Sequence, residues 1–94
     1  MNVELSIIYD YYGNLLTEKQ KIYFEDYYFS NLSLNEIAIN YNVSRNAVYN
    51  SLKEIEKKLL HYEEVLKLYK KGKIIKNLIK DLDENLKKEI EKLV

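Results

Sequence analysis

Six polar side chains between positions 44 and 53 have the types and spacing that reading the edges of nucleic-acid bases requires. Arginine can donate two hydrogen bonds to guanine O6 and N7, and asparagine can pair with adenine N6 and N7. A serine can cap a helix whose N-terminal amides face a phosphate, and a lysine can contact the backbone. Helical spacing exposes the following candidate nucleic-acid-binding residues together: Ser44, Arg45, Asn46, Tyr49, Asn50 and Lys53.

Arg45 is the only arginine in a chain that otherwise uses lysine as its basic residue. The planar guanidinium fork offers bidentate geometry that a lysine ammonium cannot, so this choice favours a specific contact over simple charge. The alternative is a structural role, in which Arg45 forms a salt bridge with Glu36 or Asp26.

A helix-turn-helix over residues 34–53 would place these side chains outside its second helix. The motif needs a small residue where the two helices cross and a left-handed residue in the turn. Ala38, preceded by Ile37, meets the first need; Asn42 meets the second, with Val43 as an apolar plug. Two pairs on the second helix are predicted to face inward: Ala47 with Val48, and Ser51 with Leu52. The alternative is an ordinary helical hairpin with the same apolar spacing.

The rest of the chain also has helical periodicity, which predicts an all-α protein. The first helix, with Val3, Ile7, Ile8 and Tyr11 inward, ends at Gly13 and Asn14. Capping boxes predict the next two helix starts, because a hydroxyl residue precedes Gln or Glu by three positions. These are Thr17 with Gln20, which starts a helix with Ile22, Tyr23 and Tyr27 inward, and Ser33 with Glu36, which starts a helix over Leu34–Tyr41.

Apolar residues after the motif recur at intervals of three and four, which is the a/d pattern of a coiled coil. The fourth helix, capped by Ser44, therefore either runs on or gives way to a fifth with little break. We expect its seam to form a homodimer interface. The seam consists of Leu52, Ile55, Leu59, Tyr62, Leu66 and Tyr69. Gly72 is predicted to end a helix, and Asp81 or Asp83 to cap the last one.

Charge is distributed unevenly, although the formal net charge is zero. Residues 1–43 hold two lysines and six acids, whereas residues 44–94 hold thirteen bases and nine acids. Residues 66–80 contain six lysines and no acid. Such asymmetry favours a polyanionic partner, nucleic acid above all. The alternative for residues 67–80 is that the lysines only solvate a helix face.

Composition argues against an enzyme, a cofactor and a metal site. The chain has no cysteine and one histidine, His61, which we expect to be partly exposed. It has no glycine-rich phosphate loop, and Asp81, Asp83 and Glu84 are better explained as a helix-capping cluster than as cation ligands. Apolar runs are too short to span a membrane, and nothing resembles a signal peptide, so we expect a cytoplasmic protein.

Several stretches of residues resemble the YlxM family of small bacterial proteins. The resemblance lies in residues 11–20 (YYGNLLTEKQ), 27–28 (YY), 32–38 (LSLNEIA) and 43–49 (VSRNAVY) and covers about residues 1–70. That family is similar to region 4 of sigma-70-type factors, a promoter-reading helix-turn-helix. The resemblance therefore implies a helical domain with a sigma-region-4-like helix-turn-helix over residues 1–70. The family specifies the residues after about 70 poorly; we expect residues 71–94 to form a C-terminal helical extension that packs on the domain or on a partner subunit.

The resemblance also implies a role. Ser44, Arg45 and Tyr49 match the family pattern, whereas Asn46 stands where glutamine is expected. Genes of this family typically lie beside the gene for the signal-recognition-particle GTPase. This implies a DNA-binding regulator connected with that pathway, with DNA more favoured than RNA. One alternative is an accessory protein that binds the particle's RNA or GTPase directly, and another is a helical scaffold that only dimerises.

Overall fold

The structure, a computed structural model, describes residues 3–94, and the regular secondary structure in that range is all helical, without a β-strand. The helices are α1 (Val3–Tyr12), α2 (Glu18–Tyr28), α3 (Leu34–Tyr41), α4 (Arg45–Leu66), α5 (Leu68–Leu78) and α6 (Glu84–Glu91). A short 3-10 turn over Gly13–Leu15 follows α1. The all-α fold class is therefore confirmed.

Local sequence signals set the helix starts. The Thr17 hydroxyl accepts the backbone amide of Gln20, and the Gln20 side-chain oxygen accepts the backbone amide of Thr17. Ser33 and Glu36 exchange the same two hydrogen bonds. Both capping boxes are thus present as predicted. The side chain of Asp83 caps α6 by accepting from an amide of its first turn.

The core lies where α1, α2 and α3 pack against α4. Phe24, Ile37, Val48, Ile55 and Leu59 are completely buried there. Burying a side chain of this size stabilises the folded state by about 1.5–3 kcal/mol. This core fixes α3 and α4 relative to each other and leaves the outer side of α4 free.

The inward faces predicted for α1 and α2 are partly wrong. In α1 the core takes Leu5, Ile8 and Tyr12, whereas Val3 is exposed. In α2 Tyr23 is buried as predicted, but Phe24 joins it while Ile22 and Tyr27 are exposed. The spacing of the apolar residues predicts the helices correctly; because both helices carry apolar residues on several sides, the spacing alone does not select the buried side.

One residue, Lys67, separates α4 from α5, as the second of the two alternatives for this region predicts. Lys67 adopts a left-handed conformation with φ of 57°. The Glu63 carboxylate accepts the Tyr12 hydroxyl at 2.7 Å and the amides of Tyr69 and Lys70 at 3.1 Å. The Tyr12 hydroxyl in turn accepts the Leu68 amide at 3.0 Å. Two side chains therefore satisfy the N-terminal amides of α5 and fix the elbow at Lys67.

The a/d seam does not form the homodimer interface that its spacing predicts. Leu52, Ile55 and Leu59 are buried in the core of the same chain, and Tyr62 and Tyr69 pack against its edge. Only Leu66, at the end of α4, is substantially exposed. The prediction of a dimer interface at this seam is wrong, because α1, α2 and α3 of the same chain already cover it.

Gly72 does not end a helix. It lies buried in the middle of α5, and a Cβ added to it would come within 2.9 Å of the Tyr11 hydroxyl oxygen. The residue therefore permits close approach of α5 to α1. Because α5 packs on α1 and continues from residue 68 to 78, the boundary expected at residue 70 falls inside a helix.

Candidate nucleic-acid interface

The six predicted side chains lie together at the N-terminal end of α4 and all are exposed. Ser44 caps the helix, its hydroxyl accepting the Ala47 amide at 3.0 Å. Arg45, Asn46, Tyr49, Asn50 and Lys53 then occupy the first three turns. The N-terminal residues of a recognition helix are those that reach base edges in the major groove.

The turn between α3 and α4 determines where α4 begins. Asn42 has φ of 54° and ψ of 49°, the left-handed conformation predicted for it. The Val43 amide donates to the Ala38 carbonyl at 3.0 Å, and Val43 packs against the core as the plug. Ala38 itself is buried as predicted, as are Val48 and Leu52. Ala47 is exposed, contrary to the prediction, because it lies on the outer side of the first turn of α4.

Arg45 has no structural partner within residues 3–94, because no carboxylate lies within 4.0 Å of its guanidinium. The two expected partners are engaged elsewhere. Glu36 accepts the Ser33 amide at 3.0 Å, and Asp26 accepts the Tyr41 hydroxyl at 2.9 Å. The salt-bridge alternative for Arg45 is therefore wrong, and its guanidinium is free to meet a ligand.

Tyr49 and Lys53 interact with each other one turn apart. The Lys53 ammonium lies 5.5 Å from the centre of the Tyr49 ring and 3.9 Å from the Glu56 carboxylate. Exposed contacts of this kind are weak, on the order of 1 kcal/mol or less. Both side chains can therefore exchange these contacts for a phosphate or a base.

The whole sequence, residues 1–94, matches the family model UPF0122, described as "Putative helix-turn-helix protein, YlxM / p13 like". The chain belongs to this family. The match extends beyond the residues that carry the sequence resemblance and includes α5 and α6.

Individual relatives agree with the family model. A UPF0122 protein of Fusobacterium nucleatum is 44% identical over 93 residues, which cover 98% of this chain and 90% of the relative. One from Malacoplasma penetrans is 43% identical over 82 residues, covering 87% and 77%. One from Bacillus pumilus is 48% identical over 80 residues, covering 85% and 73%.

Tyrosine–carboxylate pairs around the helix-turn-helix of this YlxM-like chain were not predicted from the sequence. Tyr9 donates to Glu25 at 2.7 Å and Tyr41 to Asp26 at 2.9 Å. Burial and then the Glu25 carboxylate raise the pKa of Tyr9, and the hydrogen bond to Asp26 is the main cause that raises the pKa of Tyr41. Within residues 3–94, no cation of α4 forms an ion pair with either of these two carboxylates.

Lysines of residues 67–80 form a second basic surface, on α5 and just after it. None of them forms an ion pair in the described range, and all are exposed. Lys73 lies 4.5 Å above the ring of Tyr69, its only aromatic contact there. This surface is separated from Arg45 by the length of α4, about 33 Å for 22 residues.

Two other kinds of site can be judged from the described residues. Within residues 3–94 no three histidine, cysteine or acidic side chains come together as metal ligands would. None of the helices described there is both long and apolar enough to cross a membrane.

Proposed function

We propose that this chain binds duplex DNA through the exposed start of α4 and acts as a non-enzymatic regulatory protein. The observation that carries the proposal is the free, exposed guanidinium of Arg45 in the first turn of a capped second helix. Such a position favours a bidentate contact with guanine. The helix-turn-helix family supports nucleic-acid binding in general.

Each of the six residues has a role in this proposal. Asn46 and Asn50 are spaced to meet adenine, and Tyr49 to pack beside a base or its sugar. Ser44 orients the N-terminus of α4 towards a phosphate, and Lys53 contacts the backbone. Since one helix-turn-helix contacts few bases, we also propose that two copies act together, in the cytoplasm.

A gel-shift titration with Arg45→Ala tests the proposal. We expect affinity for a selected duplex to fall by about ten-fold or more, since a bidentate base contact is worth roughly 1–3 kcal/mol. The matched control is Lys19→Ala, which removes one exposed positive charge from α2, outside both the six residues and the C-terminal helices, and should leave affinity nearly unchanged. Affinity should also fall steeply as salt is raised. If no duplex binds the wild-type protein even at low salt, the proposal is wrong.

A role with the signal recognition particle is the second candidate, favoured by the exposed ring of Tyr49, which could stack on an unpaired RNA base. The protein would then bind the particle's RNA or its GTPase without acting on transcription. A pull-down with the GTPase, with and without the RNA, tests this candidate. Retention that Tyr49→Ala abolishes would support it, and no retention in either condition would exclude it.

A structural scaffold that only dimerises is the remaining alternative. Arg45→Glu reverses one exposed charge without touching the core. If this variant binds every ligand as well as the wild type, the exposed side of α4 is irrelevant and the scaffold is the better explanation.

A further inference from the structure

The C-terminal helices carry apolar side chains that residues 3–94 leave exposed. Between residues 67 and 94 only Ile79 is a buried hydrophobic residue. Leu78 is 74% exposed and Leu93 is 84% exposed, and further large apolar residues there are half-exposed. We call these the C-terminal apolar surface: Ile74, Leu78, Leu82, Leu86 and Leu93. So many exposed large apolar residues in one short segment favour an interaction surface.

Ile74 and Leu78 lie four positions apart on α5, so they share one side of that helix. Leu86 lies on α6, and Leu82 and Leu93 lie just before and just after it. The exposed row on α5 suits packing against another helix, and the exposed leucines on α6 and at its two ends offer it an apolar partner.

The charges beside these rows differ in sign between the two helices. Residues 67–80 contain six lysines and no acid, whereas residues 81–91 contain five acids and two lysines. Within the described range, only Glu89 of these charged groups has an ion-pair partner, which is Lys92 of the same helix, 3.1 Å away. The basic α5 and the acidic α6 are thus complementary but do not neutralise each other within one chain.

The molecule as a whole is elongated. The radius of gyration is 16.7 Å and the longest dimension is 53 Å. A compact domain of this length would have a radius of gyration of about 12 Å. Among the described residues, α6 makes no extensive contact with any other helix.

We propose that a second copy of this chain covers the C-terminal apolar surface, with α5 of each copy packed against α6 of the other. A two-fold axis makes both contacts at once, because the same surface serves both partners. Each lysine-rich α5 then lies beside an acidic α6, so the charges favour the chain itself over an anionic membrane, which would repel α6. This dimer would present two α4 helices to one duplex. In that respect alone, the proposal rests on the proposed function.

Sedimentation velocity over a concentration series, without nucleic acid, tests the dimer directly. We expect the wild type to dimerise and Leu78→Glu to raise the dimer dissociation constant at least ten-fold. The matched control is Ile39→Glu on α3, where the side chain is 78% exposed outside the surface, and it should dimerise like the wild type. A wild type that stays monomeric up to millimolar concentration, or a Leu78→Glu variant that dimerises normally, overturns the proposal.

Charge exchange tests how the two copies are paired. One variant reverses the net charge of residues 67–80 to negative (Lys70, Lys71, Lys76 and Lys80 all to Glu), and the other makes residues 81–91 net positive (Asp81→Lys with Glu89→Lys). Each alone should dimerise more weakly, whereas an equimolar mixture should recover, since both contacts of the mixed dimer then join opposite charges. The matched control replaces the first variant by Lys19, Lys21, Lys57 and Lys58 all changed to Glu. It has the same net charge but leaves α5 basic, so one contact of its mixed dimer is repulsive and the mixed dimer should be weaker. An equally strong mixed dimer with this control, or no recovery with the intended pair, would contradict the α5–α6 pairing.

The two proposals fail in different ways. If the protein dimerises but binds no duplex, the proposed function is wrong and the dimer stands. If a monomeric wild type binds duplex through Arg45, the dimer and the joint action of two copies are wrong, and the contact of α4 with DNA stands.

Discussion

The helices before Lys67 and those after it differ in where their apolar side chains lie. Among residues 3–94, twelve of the thirteen buried hydrophobic residues, from Leu5 to Leu59, belong to the first region, and only Ile79 belongs to the second. The second region nevertheless has comparable apolar spacing. Helical periodicity in this chain therefore marks two groups of apolar residues. Those before Lys67 are largely buried within the chain, and those after it stay largely exposed.

Hydrogen bonds join the two regions at the elbow around Lys67. Glu63 and Tyr12, from α4 and α1, bind the first amides of α5, and Gly72 lets α5 approach Tyr11. We expect the stability of the first region to depend on packing, and the position of the second region to depend on this elbow.

The largest expected effect on stability comes from comparing a buried apolar residue before Lys67 with an exposed one after it. Ile55→Ala should lower the free energy of unfolding by about 2–5 kcal/mol, because Ile55 is fully buried and the change leaves a cavity. Leu78→Ala, at an exposed position, should change it by about 0.5 kcal/mol or less under monomeric conditions. Urea unfolding followed by circular dichroism measures both. Equal effects would show that the regions do not differ in packing.

Removing the hydrogen bonds that Glu63 accepts at the elbow should have an intermediate effect on the free energy of unfolding. Partial burial raises the pKa of Glu63, but the hydrogen bonds from Tyr12 and the amides of Tyr69 and Lys70, with the nearby Lys73, outweigh it and lower the pKa overall. Glu63→Gln should lower the free energy of unfolding by about 1–2 kcal/mol at neutral pH. The neighbouring exposed Glu64→Gln serves as the control and should have little effect.

The pH dependence of this variant follows from the sign of the shift. A carboxylate whose folded-state pKa is lowered stabilises the protein above its unfolded-state pKa of about 4.3, and that stabilisation is lost as pH falls through the folded-state value. The difference between wild type and Glu63→Gln should therefore shrink below about pH 4. Thermal melts across this range measure it, and a constant difference would argue against ionised Glu63 as the cause.

Helix caps provide the smallest and most local comparison. Ser33→Ala removes the cap of α3 inside the packed region and should lower the global stability by about 1 kcal/mol. Asp83→Ala removes the cap of α6 and should increase amide hydrogen exchange in α6 without changing global unfolding. A global loss from Asp83→Ala would show that α6 is part of the same cooperative unit.

Sequence alone predicts the helix-turn-helix well because its requirements are local. Asn42 in the left-handed conformation, Ser33 and Ser44 as caps, and Ala38 at the crossing each depend on neighbours within a few residues. The exposure of Arg45 also follows from its helical position.

Features that depend on distant residues could not be predicted in the same way. Tyr12 and Glu63 are 51 positions apart, and no local pattern links them. The seam from Leu52 to Leu66 has coiled-coil spacing, but spacing does not specify which helix covers it. Here α1, α2 and α3 take that place, so the expectation of a partner applies instead to α5 and α6.

The backbone conformation of Lys67 determines where the far end of α5 lies. A single residue with φ of 57° sets the direction of α5, whose 11 residues extend about 16 Å. A rotation of about 10° at Lys67 would move the far end of α5 by about 3 Å, close to one base-pair step along a duplex. In the proposed dimer, the distance between the two Arg45 side chains, and hence the spacing of the DNA half-sites, would therefore be adjustable by substitution at one position outside both the core and the binding surface.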